Sequence, residues 1–187
     1  MTRLAWVGAA IAAAVLLGGA AASLRPPAPA ILAWPDGAAN PYGHVPIRVY
    51  LDDDNLTGPD LNSYHLEYLG EAERALRYWA QDDVGRLRWA ASFDPVFNAR
   101  HADVVVWFER AELVDCGPRG AGAGCGGFGD GRAHQGMVAL ALLDHAGEPL
   151  QLRPFRLTAI HEMGHALGLA HSRVPYDVMF DGDPHRV

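Results

Sequence analysis

The segment TAIHEMGHALGLAHS, residues 158–172, constrains the fold more than any other part of the chain. It places three histidines and one glutamate among residues that are otherwise mostly small or apolar, as in a buried helix. Titratable groups in a buried segment have to be hydrogen-bonded, paired or bound to a metal, because burying them without a partner costs free energy. The segment therefore predicts that these side chains act together.

Helical geometry brings the first two histidines together. Pro154 is suited to the first turn of a helix, and Gly164 is the only helix-breaking residue from Phe155 to Leu167. On that helix His161 and His165 lie one turn apart on the same face. Two neutral imidazoles in this arrangement can bind one cation.

The third histidine requires the helix to end. His171 follows His165 by six positions, so on a continued helix it would lie about 240° round the axis and roughly 9 Å along it. Gly168 tolerates the left-handed conformation in which helices end, so the chain can turn back there and bring three imidazoles to one metal ion. Glu162 would lie about 100° round from His161, beside the metal, where it can hold a water molecule.

The pattern H-E-x-x-H-x-x-G-x-x-H, here residues 161–171, resembles that of the metzincin zinc endopeptidases. Met179 follows in "HSRVPYDVMF" and is similar to the methionine of the metzincin methionine turn. The serine after His171 and the short run to Met179 resemble the matrixin branch, as do "ALRYWA" (75–80) and "ADVVVWFE" (102–109). The resemblance covers roughly residues 41–181.

The resemblance implies a zincin-like α+β fold, a single domain with a mixed, twisted sheet of about five strands, a backing helix, an active-site helix and a methionine turn. It implies one catalytic Zn2+ bound by His161, His165 and His171. Glu162 would be the catalytic base that takes a proton from water. Met179 would form an apolar floor beneath the histidines without binding zinc.

We therefore predict a secreted zinc-dependent endopeptidase that hydrolyses peptide bonds with a water activated by zinc and by Glu162. Its partner would be a protein or peptide substrate, extended along an edge strand that either "GGFGDGRAH" (126–134) or "GMVALALLD" (136–144) supplies. The alternative is a non-catalytic zinc-binding interaction module derived from a metzincin. The intact Glu162 favours the enzyme, because the module has no chemical need for a carboxylate there.

Apolar periodicity predicts the other elements. "VPIRVYL" (45–51) and "RLRWAASF" (86–93) alternate like half-buried strands, and "DVVVWFE" (103–109) is apolar enough for an internal strand. "GMVALALLD" is a further strand. An amphipathic helix is predicted from Ser63 to Gln81. Its apolar positions are Leu66, Leu69, Ala72, Leu76 and Trp79.

The N-terminus has the composition of an export signal, predicted over residues 1–23. Leu4–Ser23 carries no charge, follows Arg3 and ends in small residues. Its 20 residues are about the length of a membrane span, so an uncleaved anchor is the alternative. Residues 24–44 are predicted to be a Pro/Ala-rich linker, and residues 45–187 a catalytic domain that is secreted, extracellular or periplasmic.

The overall charge narrows the range of partners. The chain of 187 residues has a formal net charge of −7 and contains no lysine. A mildly acidic chain without a basic cluster is a poor candidate for nucleic acid or anionic membrane surfaces. We expect a monomer, with membrane contact only if the signal is uncleaved.

The sequence alone leaves several further sites undecided. Cys116 and Cys125 flank a glycine-rich loop and are predicted to form a disulfide in an oxidising compartment. Tyr176 is a candidate for stabilising an oxyanion. The matrixin resemblance adds Ca2+ or a second zinc as possible ions, although the family's ligand pattern is not found. The candidate ligands are Asp130, His134, Asp144 and His145.

Two departures from the matrixin pattern limit what the resemblance implies. No pro-domain fits before residue 45, and the sequence ends eight residues after Met179, where matrixins continue into a specificity loop and a helix. One wall of the substrate pocket is therefore expected to be missing or built from "RVPYD" (173–177). For this reason no substrate preference is predicted.

Overall fold

Besides a short 3-10 helix (Ala99–His101), seven strands and two α-helices form the regular secondary structure of the residues that the computed structural model describes, 38–53, 65–82, 85–115, 121–128 and 135–180. In chain order they are β1 (Ile47–Asp52), α1 (His65–Ala80), β2 (Phe93–Pro95), β3 (Val104–Glu109), β4 (Val114–Asp115), β5 (Ala121–Gly122), β6 (Gly124–Phe128), β7 (Gly136–Ala141) and α2 (Leu152–Ala166). Five strands form a mixed sheet in the order β2-β1-β3-β7-β6, while β4 and β5 pair separately. A mixed five-stranded sheet with two helices confirms the predicted α+β fold.

The strand order decides which segment lies at the edge of the sheet. β2, β1, β3 and β7 run parallel, and β6 is antiparallel to β7. β7 lies between β3 and β6, so "GMVALALLD" is an internal strand. The two edges are β2 and β6, and β6 contains the first residues of "GGFGDGRAH"; residues 129–134 lie outside the described part.

One core joins the sheet to both helices. Along β3 the side chains alternate between buried and half-buried, and Val104, Val106 and Phe108 all face the core. β3 and β7 thus match their predictions as strands, and each is internal, with a paired strand on both sides. The buried residues of the helices include Trp79 of α1 and Phe155 of α2, in the same cluster as β3.

The predicted apolar face of α1 was wrong at its first position. Leu66 is 79% exposed, whereas Tyr68, Ala75 and Trp79 are fully buried. Tyr68 precedes Trp79 by eleven positions and therefore lies within about 20° of it round the helix, but Leu66 is about 140° away. The other four predicted positions lie on the core face: two are fully buried and two partly buried against the core, namely Ala72, Trp79, Leu69 and Leu76.

The prediction of a strand over residues 86–93 was also wrong for most of its length. Leu87 and Ala91 are buried, but Leu87 forms only an isolated bridge with Ala38, and strand β2 begins at Phe93. The amide of Arg88 donates to the carbonyl of Ala38, so this segment is paired with the chain before β1 instead of a long strand. The alternation of buried and exposed side chains over residues 86–93 therefore belongs to irregular backbone and not to a strand.

The end of the predicted linker contacts the domain. The Tyr42 hydroxyl donates to the carbonyl of Ala166, the last residue of α2, over 2.6 Å. Residues 1–37 lie outside the described part, so the signal peptide or anchor and the domain boundaries remain predictions. Neither described helix is both long and apolar enough to cross a membrane.

A buried carboxylate links β1 to the start of β3. Asp103 accepts hydrogen bonds from the amide of Arg48 at 2.8 Å and from its guanidinium at 2.7 and 3.0 Å. Burial by itself raises the pKa of Asp103, but the hydrogen bonds and charge of Arg48 outweigh it and hold this pKa below its ordinary value. The ionised carboxylate therefore contributes stability above the unfolded-state pKa, and this contribution is lost as the pH falls through the lower folded-state pKa.

We expect Asp103→Asn to lower the free energy of unfolding at neutral pH by about 1–3 kcal/mol, because it weakens charged hydrogen bonds. The difference from wild type should shrink as the pH falls below about 4, because the unfolded wild-type chain then protonates this carboxyl while the folded chain still holds it ionised. Urea unfolding at a series of pH values measures both effects. Asp94→Asn, which changes an exposed carboxylate on β2, is the control. A difference independent of pH would rule out this explanation.

Candidate metal centre

The active-site helix ends where the sequence predicts. α2 spans Leu152–Ala166 with Pro154 in its first turn. Gly168 has a φ of +91°, its amide donates to the His165 carbonyl, and the Leu169 amide donates to the Gly164 carbonyl. These two bonds form a Schellman motif, which ends a helix at a left-handed residue and reverses the chain. The turn at Gly168 therefore carries His171 back towards the helix.

Three imidazoles converge beside the end of α2. The Nε2 atom of His165 lies 3.2 Å from that of His161 and 3.1 Å from that of His171. The ligand nitrogens of all three rings lie within 4.8 Å of one another. His161 is buried, His165 half-buried and His171 exposed, so the group opens to solvent on the side of His171. The structure thus brings together the three histidines that the sequence singles out.

Backbone carbonyls fix the tautomers of two of these rings. His161 Nδ1 lies 2.7 Å from the carbonyl of Val178, and His165 Nδ1 lies 2.8 Å from the carbonyl of Leu169. Because a carbonyl can only accept, each Nδ1 carries the hydrogen and each Nε2 presents a lone pair. Sequence reasoning missed both carbonyls, since no side-chain pattern marks a backbone acceptor.

The donor set fits a zinc ion. The lone pairs of His161 and His165 face each other over 3.2 Å, which is unfavourable unless a cation lies between them. A tetrahedral zinc with Zn–N distances of about 2.0–2.1 Å places its ligand nitrogens roughly 3.3–3.4 Å apart. The observed separations of 3.1 and 3.2 Å are close to this value. Three nitrogen ligands leave a fourth position for water or substrate.

The methionine lies beneath the active-site helix. Met179 is fully buried, and a Cβ at Gly164 would collide with its sulfur and come within 2.8 Å of Trp79. Glycine is therefore needed at position 164 for close packing, although glycine weakens a helix. The residue before Met179 is Val178, whose carbonyl binds His161, so the turn contacts the triad through the backbone.

The edge strand lies directly against Glu162. A Cβ at Gly124 would lie 2.7 Å from Cγ of Glu162 and from Cγ2 of Thr158, and one at Gly126 would collide with the Glu162 carbonyl. The absence of side chains at these two positions lets β6 approach α2 at the half-buried Glu162. Sequence reasoning missed this contact, although the spacing of two glycines on one face of a strand was an available signal.

The other candidate metal ligands do not form a site in the described residues. Asp144 accepts hydrogen bonds from the amides of Ala146 and Glu148 and so stabilises a turn. His145 pairs with Glu112, whose hydrogen bond and charge raise the pKa of His145. Across the described ranges, the histidine triad is the only group of three such side chains that could hold a metal, so calcium finds no support. Asp130 and His134 lie outside these ranges.

Two further predicted features are untested. Tyr176 has a φ of +70° and is 79% exposed, and its role in stabilising an oxyanion remains a prediction. Cys125 lies on β6, but Cys116 lies outside the described residues, so the disulfide between them remains a prediction.

Two comparisons with known proteins were informative to different degrees. A search of curated proteins found no match. The family model of the matrixins matches residues 57–182, which is 126 of the 187 residues. The matched residues include α1, the strands from β2 to β7, the histidine triad and Met179. The chain therefore belongs to the matrixin family.

Proposed function

We propose that this matrixin is a secreted zinc endopeptidase, with zinc bound by His161, His165 and His171 and with Glu162 as the general base. Membership of the family implies zinc metallopeptidase activity. The observation that carries the proposal is the convergence of three imidazole Nε2 atoms within reach of one ion, next to a glutamate that faces the edge strand.

Each part of the site has a distinct task in this proposal. When bound, zinc supplies a Lewis acid that lowers the pKa of water and polarises the substrate carbonyl. The Val178 and Leu169 carbonyls hold His161 and His165 with Nε2 directed inward. Glu162 takes a proton from the attacking water and delivers it to the leaving amine. Peptide hydrolysis by this route needs no covalent intermediate with the protein.

The substrate is proposed to bind in extended form along β6. β6 is an edge of the sheet, and an extended peptide can add to such an edge through backbone hydrogen bonds. Because Gly124 and Gly126 bring this strand against Glu162, a peptide added to β6 lies close to the proposed base. β7, the other candidate from sequence, is covered on both sides by neighbouring strands.

A cavity of about 280 Å³ beside α2 is proposed to receive a substrate side chain. Its lining residues include Val178, whose carbonyl lies 2.7 Å from His161 Nδ1, and Ile160. The segment "RVPYD" contributes Tyr176 and Asp177, as expected if this segment supplies part of the pocket wall. Most other lining residues are apolar or aromatic, with two arginines at Arg86 and Arg153.

The direct test is proteolysis by the purified protein. It should cleave unfolded casein, lose activity on treatment with a zinc chelator and regain activity when zinc is added back. Zinc content measured on the same samples separates a failure to bind metal from a failure of chemistry. Zinc bound at one equivalent without cleavage of casein or of diverse peptides would contradict the proposal and favour a non-catalytic zinc-binding module.

We expect Gly124→Ala to lower kcat by up to about 100-fold while zinc affinity stays close to that of wild type. The added methyl displaces the side chain of Glu162, and a displacement of about 1 Å at a reacting group is enough for a loss of this size. None of the three atoms nearest to this methyl belongs to a histidine. Steady-state kinetics on a fluorogenic peptide and zinc competition titrations give the two quantities.

The matched control is Gly70→Ala in α1, where an added Cβ meets nothing within 4 Å. It should leave kcat unchanged and slightly stabilise the helix. Unchanged kcat in Gly124→Ala, or an equal loss of kcat and zinc affinity, would show that Gly124 does not act through Glu162.

A further inference from the structure

A charged network outside the triad connects the end of α1 to the methionine turn. The Arg86 side chain is only 11% exposed and lies between the side chains of Asp82 and Asp177, which are 7% and 13% exposed. Arg86 Nη2 and Nε lie 3.2 and 3.4 Å from Oδ2 of Asp177. Its Nη1 lies 3.8 Å from Oδ1 of Asp82, while the other Asp82 oxygen accepts from the Leu87 amide.

The two carboxylate oxygens of Asp177 have separate partners. Oδ2 faces Arg86, and Oδ1 accepts a hydrogen bond from the Met179 amide at 2.8 Å. The Asp177 carbonyl also accepts from the Phe180 amide at 2.9 Å. These bonds hold the backbone on both sides of Val178. The carbonyl of Val178 is in turn the acceptor for His161 Nδ1–H at 2.7 Å.

Stability alone is a weak reason for this network. A buried ion pair has to offset the desolvation of its charges, and apolar residues of similar size often hold a fold as well or better. An arginine fixes the orientation of the carboxylate that it binds, because its planar guanidinium presents its N–H donors in fixed directions. Here the fixed carboxylate caps the turn that presents the acceptor for a proposed zinc ligand.

We propose that Arg86 is a positioning residue of the metal centre. Through Asp177 it holds the Val178 carbonyl where that carbonyl sets the tautomer and orientation of His161. The inference rests on the proposed zinc site. It predicts an asymmetry within the triad, because the acceptor of His165 is the Leu169 carbonyl, which the helix cap at Gly168 holds in place.

The test compares Arg86→Met with wild type in two measurements. Zinc affinity, from competition with a chromophoric chelator, should fall about tenfold, as is common when a partner that orients a metal ligand is lost. In the zinc-loaded protein, NMR should show faster solvent exchange of His161 Nδ1–H and unchanged exchange of His165 Nδ1–H. A residue that only stabilised the fold would not separate these two protons.

Two further variants sharpen the result. Arg86→Lys keeps the charge but not the planar fork and should give an intermediate affinity. Arg77→Met removes an arginine whose side chain is 58% exposed on α1, and it should match wild type in both measurements. If Arg86→Met does not fold, Asp177→Asn serves instead: it keeps an oxygen for the Met179 amide, loses the charge that faces Arg86 and should give the same asymmetry.

Unchanged zinc affinity and unchanged exchange of both protons in a folded variant would overturn the inference. Equal acceleration of both protons would also overturn it, since this would indicate general loosening of the domain. Wild-type protein that binds no zinc would contradict the proposed function itself, and the inference with it.

Discussion

Replacing Glu162 with glutamine is expected to remove most of the proteolytic activity while leaving zinc bound at one equivalent. Glutamine has nearly the same shape as glutamate but cannot accept a proton at neutral pH. A positioned general base contributes about 10²–10⁴-fold to rate, so kcat should fall by this factor. The histidine ligands are unchanged, because Glu162 lies beside them on α2 and is not one of the three converging side chains. Steady-state kinetics and metal analysis of the same preparation provide the measurement.

Glu73→Gln is the matched control for this substitution. Glu73 is 56% exposed on α1 and pairs with Arg77, so the same chemical change there should leave both kcat and zinc content at the wild-type level. Full activity in Glu162→Gln would show that another group takes the proton. Loss of zinc together with activity would show that Glu162 supports the metal site rather than the proton transfer.

The proposed zinc ligands could be identified from sequence because they lie within eleven consecutive residues. Helical geometry fixes His161 against His165, and a single φ at Gly168 sends His171 back, so few alternatives are compatible with this spacing. The internal strands β3 and β7 were predicted for a similar reason, since their apolar runs report burial directly.

The parts that escaped prediction depend on partners that are distant in sequence. β6 contains three glycines in five residues, a composition that disfavours strands, and it is extended because β7 pairs with it. Arg86 meets Asp177 across 91 positions. The charges of these two residues do not indicate that they contact each other. Leu66 shows the converse: an apolar residue at a helical spacing is exposed because α2 packs against another face of α1.

Removing zinc is expected to produce the other large effect, a fall in the free energy of unfolding. Zinc would bind the folded chain in preference to the unfolded one, because only folding brings the three imidazoles together. An ion that binds only the folded chain at about a thousand times its Kd adds roughly 4.1 kcal/mol of stability. Urea unfolding of chelator-treated and zinc-reconstituted protein, at a fixed excess of free zinc, measures the difference.

The stabilisation should weaken as the pH falls, because the ligand imidazoles have to be deprotonated and protons compete with the metal. Two histidine variants locate the effect. His165→Ala should make the unfolding free energy nearly independent of zinc, whereas His145→Ala, which changes an exposed imidazole paired with Glu112, should keep the wild-type dependence. Equal stability of wild-type protein with and without zinc would show that the three imidazoles do not bind the ion in the folded state. In that case the short distances between their nitrogens would need another explanation.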